Sequence, residues 1–196
     1  MEMDMAFDLQ TRDGEILATR AATIIWVALI AALSVGGSLA FACAAPLAAV
    51  AALAGCKMER GAGLALVVAA WLSNQVIGYG VLGYPQTFHS FAWGAAIGGA
   101  SILAFFGAHA ASASAGNRPL SLAIGFLAAF AIYEFALYLA GIPLSGSAEA
   151  FSMPIVTRIF EINVVAFAGL LIFHRLAVAV SLLPGIAAHS PEVAVR

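Results

Sequence analysis

The amino-acid sequence predicts an all-α, multi-pass membrane fold, and three observations carry that prediction. Of 196 residues, 63% are hydrophobic and 9% charged, against roughly 25% charged in a soluble domain. So little charge does not cover a surface in water. The mean hydropathy is +1.02. The apolar residues are also gathered into runs near the roughly 20 that a helix needs to cross the hydrocarbon. Disorder is excluded because apolar side chains dominate. The net charge of −2 leaves no basic patch for a nucleic-acid partner.

The chain opens with MEMDMAFDLQTRDGE, which is net acidic, whereas a secretory signal opens basic and has an apolar core of only roughly 7–15 residues. Residues 1–16 therefore read as a short cytosolic lead. Breakers and charges then mark six spans at about 17–40, 41–56, 61–82, 88–112, 119–142 and 154–184, a single transmembrane domain over 17–184. Residues 185–196, ending HSPEVAVR, read as a cytosolic tail. The second span is short and Ala-rich. Residues 17–56 also fit one long kinked span, with Gly36, Gly37 and Pro46 as the breaks.

Positive charge chooses between these readings, because cytoplasmic loops carry the Lys/Arg excess. With six spans and both termini cytosolic, Arg12, Arg20, Lys57, Arg60, Arg118, Arg175 and Arg196 share the inner side, leaving Arg158 alone of the 8 basic residues. Five spans would set Arg12 and Arg20 against Lys57 and Arg60. The expected protein is thus a six-helix bundle, N-in and C-in, multi-pass in the cell's inner membrane, with the lipid bilayer as its first partner.

Within that frame the polar groups collect on one side. The stretch WLSNQVIGYGVLGYPQTFHSFAWG (71–94) carries Asn74 and Gln75 toward the outer end of the third span, with Tyr79, Tyr84, Gln86 and His89 at its mouth. Glu134 falls in the outer half of the fifth span; Arg158 and Glu161 fall in the outer third of the sixth. Ionisable groups at such depth are costly and normally face the bundle interior, a wet cavity or a partner charge. Arg158 and Glu161, three apart, share a helix face and are candidates to pair with each other, or Arg158 with Glu134. Two interpretations stay open. Either Asn74, Gln75, Tyr79, Glu134, Arg158 and Glu161 line an outward-facing pocket, or they tie helices together. Tyr79 and Tyr84 also suit an interfacial aromatic belt. His109 and His174 fall at headgroup level on the inner side.

Small residues recur at Ala44, Ala48 and Ala52, at Ala45 and Ala49, and at Gly94 and Gly98. Such faces allow close helix approach, inside the chain or against a partner subunit. No phosphate loop, HExxH, GxSxG or CxxCH motif occurs, and Ser73 has no histidine at its depth within its own span, so neither an enzyme nor a bound cofactor is expected. Cys43 and Cys56 show no zinc spacing and read as packing residues.

In size, span number, terminal placement and outward polar cluster, the chain resembles the substrate-binding (S) components of energy-coupling-factor vitamin and metal uptake systems. That resemblance implies capture of a vitamin, a corrinoid or a transition-metal ion, with Cys43 and His89 as conceivable metal contacts and with transporter partner subunits docking on Ala/Gly-rich faces. The alternative expectation is a structural or assembly subunit of a larger membrane complex.

Overall fold

The computed structural model describes residues 45–114, 116–144 and 149–179. They form α1 (Leu47–Lys57), α2 (Arg60–Gly80), α3 (Phe88–Ala113), α4 (Arg118–Gly141), a 3-10 turn (Glu149–Phe151) and α5 (Met153–Ala179). The expected first span, 17–40, and the lead and tail lie outside the described residues. The expected third, fourth and fifth spans are found within two residues at each end, as α2 to α4. The sixth begins where expected.

Local chemistry sets the helix ends. Thr87 accepts a hydrogen bond from the Ser90 N–H at the start of α3, and Asn117 accepts one from Leu120 at the start of α4. Both occupy the N-cap position, where a short oxygen-bearing side chain satisfies an orphan amide. Pro119 follows in the first turn of α4, where a missing N–H costs nothing. At the end of α2, the Leu82 N–H returns to the Ile77 carbonyl and the Tyr84 N–H to the Gly78 carbonyl, each at 2.9 Å. Gly83, at φ 68°, supplies the left-handed residue that this reversal requires.

The helices α2, α3 and α4, with Met153–Leu176 of α5, are long and apolar enough to cross a membrane. The second expected span, 41–56, is corrected. Its helix begins only at Leu47 and has 11 residues, about 16 Å at the usual rise and roughly half the hydrocarbon thickness. Every residue from Leu47 to Gly55 is buried, and α1 touches each of the other four helices. The reason lies in LAAVAALAG: apolar on all sides, it has no face to offer water, and its alanines admit neighbours closely all round. The small-residue faces at Ala48, Ala52 and Ala49 are therefore spent inside the chain, each fully buried.

Around α1, α2 packs beside α3 and α3 beside α4. Between α4 and α5 the contact is mainly aromatic. Phe126 stacks on Phe167 at 4.9 Å between centroids and Phe130 meets Phe160 edge-on at 5.0 Å, while Tyr138 meets Phe151 of the 3-10 turn just before α5 at 5.5 Å. The rising numbers on one helix against falling numbers on the other fix the pair as antiparallel.

Candidate functional site

The opening polar stretch forms a seam between α2 and α3. Trp71, Gln75 and Tyr79 recur every four residues and so form one stripe along α2. Opposite them α3 offers Gly98, Gly94 and Ser90, again at four-residue spacing. The Trp71 indole N–H donates to the Gly94 carbonyl at 2.8 Å, and the Tyr79 and Ser90 hydroxyls share a hydrogen bond at 3.1 Å. A methyl group added at Gly94 would collide with the Gln75 carboxamide oxygen. One at Gly98 would lie 2.6 Å from the Trp71 ring. Large polar side chains thus lie in a trough of glycine backbone. Asn74, beside Gln75, is half-buried.

At the turn end of this seam, Tyr79 stacks on Phe91 at 4.8 Å and meets Tyr84 edge-on at 6.0 Å. His89 is exposed, and its Nε2 accepts from the Trp93 indole N–H at 3.1 Å. Cys43 lies outside the described residues. Among the described residues, no group of three or more His, Cys, Asp or Glu side chains could hold a metal ion.

Glu134 is placed differently. It stands on α4 between the Phe130–Phe160 and Tyr138–Phe151 contacts, about 10 Å from the Gly141 end at the usual helical rise. Its Oε1 is shut off from solvent and has no hydrogen-bond partner. Among the described residues no ion pair joins it to Arg158. Arg158 and Glu161 are both exposed, on the side of α5 opposite the buried Asn163, Phe167 and Leu170. No ion pair joins these two among the described residues either. The six candidate ligand residues therefore share one end of the bundle but not one site. Gln75 and Tyr79 face α3, Glu134 lies beside the α4–α5 aromatic contacts, and Arg158 and Glu161 face away from the described helices α1 to α4.

Two polar residues do work that the sequence did not reveal. Asn163, 2% exposed, accepts from the Ala49 N–H at 3.0 Å while its amide donates to the Ile159 carbonyl at 2.9 Å. Ala49 is in the first turn of α1, whose own N-cap, Pro46, offers no side-chain acceptor. Asn163 is therefore a helix cap supplied by another helix. At the far end of α1, His109 Nδ1 lies 3.2 Å from the Gly55 carbonyl, and its Nε2 accepts from Arg60 Nε at 3.0 Å. With Nε2 accepting, the neutral ring carries its proton on Nδ1 and donates it to Gly55. His109 thus ties α3 to the C-terminal ends of α1 and to the start of α2, instead of lying free at headgroup level. A lone Asn in EINVVAF is visible in the sequence; its partner, 114 residues away, is not.

No protein-family model matches the chain, and neither the curated proteins nor the solved structures yield a match. The class is defined by the helices themselves: a multi-pass helical membrane protein built around a short buried helix.

Proposed function

We propose that this protein captures a small solute within the membrane for uptake, and that Glu134 is the polar anchor for that solute. One observation carries the reading: a carboxylate oxygen enclosed in an apolar bundle without a partner. Trp71, Tyr79, Asn163 and His109 all spend their polar atoms on neighbouring helices. Glu134 does not, and an intramembrane ionisable group with unmet hydrogen-bonding capacity is a functional group by default. A cationic or hydrogen-bond-donating part of a vitamin or corrinoid suits a single carboxylate. A transition-metal ion would call on further ligands such as Cys43 or His89. The proposed orientation in an inner membrane puts the start of α2 and the C-terminus in the cytosol, where Lys57, Arg60, Arg118, Arg175 and Arg196 fall together, and so sets Glu134 toward the outside. The likeness to S components in size supports the same reading.

A second reading, as a structural or assembly subunit, is favoured by the α2–α3 seam, where Trp71, Gln75 and Tyr79 serve packing. Native mass spectrometry of the full chain, released from lipid nanodiscs, distinguishes the two. Capture predicts a bound small molecule on the wild type, and its loss in Glu134→Gln with the fold intact. An empty wild type, or equal retention by the variant, overturns the proposal.

A further inference from the structure

We propose that the outward face of α5 is the interface between two copies of this chain, related by a two-fold axis along the membrane normal. Arg158, Glu161, Val165, Ala168, Ile172 and Leu176 follow one another at spacings of three and four along α5 and share one side of the helix. All are exposed, Val165 at 70%, Ile172 at 61% and Leu176 at 58%. The opposite side, with Asn163, Phe167 and Leu170, is the one that packs on the bundle. Alternating three and four is the spacing at which two helices mesh along a shared seam. Gly169 adds an opening beside that seam, since a methyl group there would meet nothing within 4 Å.

The charges identify the occupant. Arg158 and Glu161 lie five and eight residues into α5, about 8 and 12 Å from its start at the usual rise. Snorkelling brings a long arginine back to the interface; a glutamate at that depth has no such reach. Pointing into lipid, the two would be costly and unpaired. Copies of one protein insert with the same orientation, so a two-fold pair runs parallel and places equal residue numbers at equal depth. Arg158 of one copy then stands less than one helical turn from Glu161 of the other, and the reverse contact forms by symmetry. A face bearing one cation and one anion at this offset is its own complement. The aliphatic residues below continue the same seam, with Ala168 allowing close approach.

The test uses the full-length chain in bilayers. The wild type is expected to be dimeric by subunit counting in nanodiscs, and Ala168→Cys, which keeps both charges, should form a disulfide-linked dimer under mild oxidation. Leu103→Cys, exposed on α3, should not. Arg158→Glu and Glu161→Arg should each lower the dimer fraction at least about tenfold, because like charges then meet across the interface. The two variants expressed together should pair with each other, since one carries two anions and the other two cations; this rescue also shows that each still folds. A wild type that stays monomeric overturns the proposal. So does pairing of either single variant at wild-type strength, or cross-linking of Ala168→Cys to a cysteine introduced within residues 17–40 of its own chain or to a different protein.

Discussion

Replacing Asn163 with alanine tests whether α1 depends on a cap from outside itself. The substitution leaves the Ala49 N–H, in a buried first turn, without its acceptor at 3.0 Å, and Pro46 offers no side chain in its place. Interhelical hydrogen bonds in membrane proteins average about 0.6 kcal/mol, with a maximum of about 1.7. The upper figure applies here, because a first-turn amide has no intrahelical alternative. Removing a carboxamide that is 2% exposed adds a cavity worth about 1 kcal/mol. The expected loss is about 2–3 kcal/mol. It would be read from reversible unfolding of the full chain in mixed micelles with a rising fraction of denaturing detergent. Amide exchange across residues 47–50 should rise in parallel, since that turn is the one uncapped. Leu103→Ala, at an exposed position on α3, is the control. The reasoning is refuted if Asn163→Ala falls within about 0.5 kcal/mol of that control, the usual range for surface changes, or if exchange at 47–50 is unchanged.

Adjacent glycines on α3 should respond in opposite ways. Gly98→Ala sets a methyl group 2.6 Å from the Trp71 ring and should destabilise by about 1–3 kcal/mol through overpacking; Gly99→Ala meets nothing within 4 Å and should be neutral or slightly stabilising through helix propensity. Equal unfolding midpoints for the two would show that the α2–α3 seam is not close-packed there. For the proposed topology, a reporter active only in the cytosol should work when fused after Arg60 and after Arg196 and fail after Ser147; activity after Ser147 would overturn it.

Composition and run length alone determined that the chain is helical and crosses a membrane several times, because lipid tolerates few backbone solutions. The positions of α2, α3, α4 and the start of α5 followed from Gly, Pro and capping residues such as Thr87 and Asn117, whose effects are local. Depth was also legible, since a residue's height in a span is nearly its place in the sequence. The direction in which a side chain points was not. Gln75, Glu134 and Arg158 share an end of the bundle, yet one lies against glycine backbone, one is enclosed beside the aromatic contact of α4 and α5, and one faces outward. An Ala-rich span looks alike from every side, so nothing in LAAVAALAG marks it as a buried half-length helix instead of a membrane crossing. Only the packing of four helices around α1 decided that, and with it why Asn163 and His109, distant in sequence, hold the backbone groups at its two ends.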